Sequence, residues 1–180
     1  LQWWKWFIGE GGVRVPLVVI PPKGQPFARA GQKTNEYAQV KDIPMTILDY
    51  AGVDHPQTDY KGRKIVAPSG ISMRKYFEGS ASSPRTEEQW VAFELFGNSY
   101  VVAGDYKAIR VRTAMYGDGK WHLYNIKKDP GETRPLDAEY PQRLEKMIAI
   151  YEQYAKDKGI VPVADNWSPW HGFIEENKQN

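Results

Sequence analysis

The stretch that decides the fold runs from Trp90 to Ile126: WVAFELFGNSYVVAGDYKAIRVRTAMYGDGKWHLYNI. It is rich in Val, Ile, Tyr, Phe and Trp, which suit a pleated, half-buried surface. It breaks into short runs, WVAFELF, SYVVAG, YKAIRVRTAMY and KWHLYNI. Gly104-Asp105 and Gly117-Asp118-Gly119 stand between runs as hairpin-turn signals. Connections this short leave no room for a crossover helix, so the spacing predicts an antiparallel meander of three or four strands.

Downstream, KKDPGE reads as a turn, and a long helix is predicted from about Pro141 to Lys158. Proline suits a first helical turn, and Gly159 is a natural stop. Leu144, Met147, Ile148, Tyr151, Tyr154 and Ala155 recur at helical spacing as one apolar stripe, which is expected to cover one face of the meander. Sheet and helix together give an α+β class. The segment after Val161, with Trp167, Trp170 and His171, has no period and is expected to be an extended or frayed end.

Upstream, the polar run SASSPRTEE (80–88) marks a boundary or exposed loop. SMRKYFEG predicts a short helix capped by Ser72 and stopped by Gly79. KDIPMTILDYAG predicts another, with Asp42 as N-cap, Gly52 as stop, and Met45, Ile47, Leu48 and Ala51 buried. Residues 53–70 read as irregular. Val13 to Ile20 is nearly continuously apolar and is expected to be a strand buried on both faces, ended by Pro21-Pro22-Lys23-Gly24. Pro16 would need an edge or bulge within it.

The composition is globular: 41% of the 180 residues are hydrophobic and 26% charged. A net charge of +2 without a basic stripe argues against a dedicated nucleic-acid binder. Seven Trp and eleven Tyr point to aromatic packing first, and to a partner or sugar-like surface second. With no cysteine, the chain offers no disulfide, thiolate metal site or Cys nucleophile, and its redox compartment stays open. No run reaches the roughly 20 apolar residues of a membrane span. Because the chain opens on Leu1 inside a dense motif, it is expected to be a piece of a longer protein, and its localisation is left unassigned.

No complete catalytic constellation is present. His55, His122 and His171 are scattered rather than set at metal-ligand spacing, and His55, in a loop before Pro56, and His122, in a predicted strand, read as structural. The most suggestive group is WWKWFIGEGG (3–12). Lys5 stands among Trp3, Trp4, Trp6 and Phe7, where partial desolvation would strengthen its attraction for an anion. The alternative is a snorkelling lysine beside an aromatic core. Gly11 and Gly12 allow either a close backbone approach or a positive φ.

The order of motifs sharpens this. KWFIGEGGVRVP at 5–16 resembles the K-x4-E-G-G-x-R-x-P segment found late in the catalytic domain of type I sulfatases, within the alkaline phosphatase superfamily. VKDIPMTILDYAGV (40–53) resembles the family's D-φ-x-P-T-φ-L-D-φ-A-G segment, with Met45 inserted before Thr46. YKGRKI, GISM, GDYKAI and WHLYNIKKDPGETRPL follow in the family's order, and bacterial arylsulfatases are the most similar in feel. One departure stands at Ser99 to Val102, where sulfatases often carry a basic R-A-φ-R.

The resemblance implies that residues 1–57 end the large catalytic α/β domain with its last strand and helix. Residues 58–88 would connect, 89–160 would form the C-terminal sheet-and-helix subdomain, and 161–180 a tail. It implies a sulfuric ester hydrolase whose formylglycine nucleophile and Ca²⁺ ligands lie upstream, so that no metal ligand belongs to these residues. Of the family's catalytic groups only one lysine maps here. Lys5 would contact a sulfate oxygen and stabilise the leaving group, while Glu10, Gly11, Gly12 and Arg14 position the loop. The implied partners are a small sulfate ester and the missing N-terminal portion, and the 180 residues alone are expected to be inactive. A phosphonate or phosphate monoester hydrolase of the same superfamily, or a non-catalytic glycan- or protein-binding module, is the alternative.

Overall fold

A computed structural model describes residues 1–170 apart from Pro22 and Pro26; His171 lies outside the described residues. The chain divides into two compact units, one formed by Leu1–Pro16 with the chain from Gln89 onward, the other by Leu17–Glu88.

In the first unit, β3 (Val91–Leu95), β4 (Asn98–Ala103), β5 (Tyr106–Arg110) and β6 (Trp121–Asn125) form the expected antiparallel meander in sequence order. Its first turn, Phe96-Gly97, has positive φ at both residues (55° and 78°), the twist a two-residue hairpin needs. Register places Ala92, Val101, Ala108 and Leu123 in one row across the four strands. That row and Met147 of α4 (Pro141–Lys158) make the core, with Leu144, Tyr151 and Tyr154 packed around it. The helical stripe therefore covers the sheet as its spacing predicts, and Gly159 ends α4 in the left-handed conformation.

A two-residue period puts Tyr100, Val102, Lys107, Ile109, His122 and Tyr124 on the opposite face. Here the amino-terminal loop covers the sheet: Phe7 and Ile8 are 1% and 0% exposed. The short helix α1 (Glu10–Val13) closes this loop. Past Ile160 the chain runs to Ser168 without regular structure and mostly exposed, Arg112 donates to the carbonyls of Ala164 and Trp167, and Ser168 is buried.

In the second unit, α2 (Asp42–Ala51) and α3 (Arg74–Phe77) flank a two-stranded ribbon, β1 (Asp59–Tyr60) with β2 (Arg63–Lys64). α2 stops at Gly52 as expected, but its buried side is polar. Asp42 and Thr46 are buried, whereas Ile47 is 62% exposed and Ala51 is also exposed. Asp42 accepts the backbone N–H groups of Gln39 (2.8 Å) and Ile71 (3.0 Å) and pairs with Arg85. Thr46 accepts from the Met73 N–H at 3.0 Å. The helix is anchored by hydrogen bonds to neighbouring loops, which a count of apolar positions does not register.

The strand expected over Val13–Ile20 does not form. Val13 ends α1, and Val15, Val18 and Ile20 are about four-fifths exposed, at 79%, 83% and 83%. A strand exists through its ladder of hydrogen bonds, and none of the described residues pairs with this run.

Candidate functional site

Lys107 is the residue on which the amino-terminal loop hangs. It lies mid-strand in β5 with 0% side-chain exposure, and its Nζ donates to the Ile8 carbonyl (2.7 Å) and to Glu10 Oε1 (3.0 Å). Glu132 Oε1 lies 2.9 Å away as a second ion-pair partner, at an angle unsuited to a hydrogen bond. Glu132 Oε2 accepts the Glu10 backbone N–H at 2.7 Å, and the Glu132 carbonyl accepts from the Gln2 side chain at 2.9 Å. One ammonium and two carboxylates thus tie β5, the 129–133 turn and residues 2–10 together away from water. In so dry a place each partner is indispensable to the others, since a lone buried charge costs several kcal/mol.

The rest of the loop follows from this anchor. Glu10 spends its side chain on Lys107 and, more weakly at 3.9 Å, on Arg14. Gly11 and Gly12 are helical, not left-handed. Their need for glycine is the close-approach alternative: a Cβ on Gly11 would run into the carbonyls of Trp3 and Gln2, and one on Gly12 into those of Phe7 and Trp4. The close neighbour is the protein's own backbone, with Gly11 N–H donating to the Gln2 carbonyl at 2.8 Å.

Lys5 is exposed and makes no side-chain hydrogen bond or ion pair among the described residues. The desolvated aromatic box expected around it is not built. Trp3 instead stacks on Phe7 at 4.7 Å, Trp4 is 60% exposed, and Trp6 turns to Phe96 (5.6 Å) and Trp170 (5.1 Å). The residues flanking Lys5 are conformationally costly. Trp3 and Trp6 adopt φ of 67° and 90°, arrangements worth about 1–3 kcal/mol of strain each that persist only where the surroundings over-determine them. The loop presents Lys5 at the surface, with no ion-pair partner among the described residues.

Behind Trp3 lies a cavity of about 330 Å³ whose lining includes Tyr116, Asp118, His122, Tyr124 and Glu132. Its titratable groups are acidic or paired to acids. His122 is clamped between Asp137 (2.7 Å from Nδ1) and Asp118 (3.0 Å from Nε2). Burial lowers the histidine's pKa, but those two carboxylates outweigh it and the net shift is upward. Tyr124 is pushed up to about 12, by burial first and then by the charge of Glu132 and Asp137. Such walls are unsuited to an anion such as sulfate. Among the described residues no group of three or more His, Asp or Glu could hold a metal ion. No described helix is long and apolar enough to cross a membrane.

Sequence reading grouped Lys5, Glu10, Gly11, Gly12 and Arg14, which lie in the loop (Lys5), in α1 (Glu10, Gly11 and Gly12) and at its C-cap (Arg14). It missed Lys107 and Glu132. The signal was present in the motifs that hold them, but a lysine in a strand reads as solvent-facing.

No family model matches the chain. An uncharacterized sulfatase of Schizosaccharomyces pombe is 31% identical over 173 residues, 96% of this chain and 29% of its own length. Arylsulfatase K of Xenopus laevis is 24% identical over 192 residues, 99% of this chain and 34% of its own length. Among solved structures, a putative sulfatase from Bacteroides thetaiotaomicron aligns at 22% identity over 64% of this chain and 24% of its own, with a TM-score of 0.45, a likeness too low to carry an argument. The chain spans about a third or less of the length of these relatives. Over nearly all of its own length the chain is kin to sulfatases.

Proposed function

We propose that the protein containing this chain hydrolyses sulfate esters, and that Lys5 contributes a positive charge to the sulfate or the leaving oxygen. The observation that carries this is Lys5 itself: an exposed lysine, unpaired among the described residues, on a loop fixed from beneath by Lys107, Glu10 and Glu132. A preorganised cation needs no rearrangement when charge develops, which is where electrostatic catalysis gains most. Glu10, Gly11, Gly12 and Arg14 hold the loop and touch no substrate. The nucleophile, the calcium site and the groups that choose the substrate belong to the portion of the protein outside these residues.

The test is an assay of the full-length protein on 4-nitrophenyl sulfate and 4-nitrophenyl phosphate. Turnover of the sulfate in preference to the phosphate is expected, and the reverse preference would favour the phosphate-ester reading. Lys5→Ala should lower kcat by about 100-fold or more, the usual loss of one preorganised charge-stabilising donor. An unchanged rate removes Lys5 from the mechanism.

A further inference from the structure

Lys5 has a second support besides the buried ion group, and it comes from the far end of the chain. Trp6, the next residue, has a φ of 90°. Its ring is held between Phe96, at the tip of the β3–β4 hairpin, and Trp170. Phe96 in turn packs near Trp167 at 6.3 Å. One side chain joins these pieces. Arg112, 2% exposed, donates from Nη1 to the Phe96 carbonyl (2.8 Å) and from Nη2 to the carbonyls of Ala164 and Trp167 (2.9 Å for the latter). Its backbone N–H donates to the side chain of Asn98, itself fully buried, at 3.0 Å.

This one buried guanidinium ties the 164–167 segment to the hairpin tip through three carbonyls. Each of those carbonyls belongs to the hairpin tip, whose Phe96 ring meets Trp6, or to the 164–167 segment, whose Trp167 ring meets Phe96 and which leads into Trp170. Trp6 is bonded directly to Lys5, so a contact that fixes the Trp6 backbone limits where Lys5 can stand.

We propose that the segment 164–170, pinned by Arg112, is a strap that positions Lys5 through Trp6, with Trp170 as its contact and Arg112 as its fastening. These are positioning residues: neither touches a substrate. The proposal rests on the Lys5 reading above, and the experiment separates the two.

In the full-length protein, Lys5→Ala, Trp170→Ala and the double variant are assayed on 4-nitrophenyl sulfate, and hydrogen exchange is followed at residues 3–8 and 98–110. Trp170→Ala is expected to lower kcat by about tenfold, as expected of a misaimed group. Exchange at 3–8 should quicken by about tenfold while 98–110, in the sheet, stay protected. In the Lys5→Ala background the same change should cost less than about twofold more, because its target is gone. Trp170→Phe, which keeps a ring on Trp6, should restore both readouts and guards against a simple folding defect. Full multiplication of the two losses, or unchanged exchange at 3–8, overturns the strap while leaving Lys5 its role. An active Lys5→Ala enzyme overturns the catalytic reading and the strap's purpose with it, and the exchange data then show only whether the contact is real.

Discussion

Lys107 Nζ lies 3.0 Å from Glu10 Oε1, with the lysine side chain 0% and the glutamate 6% exposed, although 97 residues separate them in sequence. A charge pair this dry acts as a register pin. It fixes one face of the sheet against the loop that carries Lys5, and Glu132 completes it. Removing one member should be far more damaging than removing the group.

Lys107→Met should therefore destabilise the first unit by about 3–5 kcal/mol, because it leaves two carboxylates buried without a counter-charge. Urea unfolding followed by tryptophan fluorescence measures this. Combining it with Glu10→Gln and Glu132→Gln should recover a large part of the loss. If the triple variant is no more stable than the single one, the damage comes from lost packing rather than stranded charge.

Leu123 sits at the end of the Ala92–Val101–Ala108–Leu123 row with no exposed surface. Leu123→Ala should cost about 2–5 kcal/mol, since the core it shares with Ala108 and Met147 closes only in part over the cavity left behind. Ile47→Ala in α2, a residue 62% exposed, should change stability by less than about 0.5 kcal/mol. Equal losses at the two sites would contradict the burial described for α2.

His122 gives a pH signature. Its folded pKa is raised, so the protonated form binds Asp118 and Asp137 better in the folded state than in the unfolded chain. The stability it contributes is complete below the ordinary histidine value near 6.5 and is lost as pH rises through the folded value. Comparing the wild type with His122→Gln by urea unfolding between about pH 5.5 and 9, the gap should be widest at the acid end and narrow upward. A gap that widens with pH has the wrong sign for this arrangement.

Tyr124 should be among the last tyrosines to ionise. Spectrophotometric titration should show a component near pH 12, absent from Tyr124→Phe, well above the value near 10 of an unperturbed phenol. Its disappearance in a Glu132→Gln variant would be too large a response, because burial contributes more to the shift than that neighbour's charge does.

Much of this architecture is legible in the residues themselves. Hairpin turns at Gly104-Asp105 and the stop at Gly159 need backbone geometries that the local sequence announces, and α4 carries its core-facing stripe in its own spacing. The loop residues from Lys5 to Arg14 were legible because they form one contiguous motif. The run Val15–Ile20 misled for the opposite reason. Apolar content says that a segment suits burial, but what buries it must come from elsewhere in space.

Sequence by itself therefore determined the meander, the long helix α4 and their order, since each depends on residues close together in the chain. Only the tertiary structure decided that Lys107 is buried rather than solvated and that Glu132 faces it. It also showed that Arg112 fastens the 164–170 segment beside Trp6. Those are contacts between residues tens to more than a hundred positions apart. A lysine's choice between water and a buried carboxylate is settled by the desolvation its neighbours impose and the charge they return, and those neighbours are assigned only when the chain closes on itself.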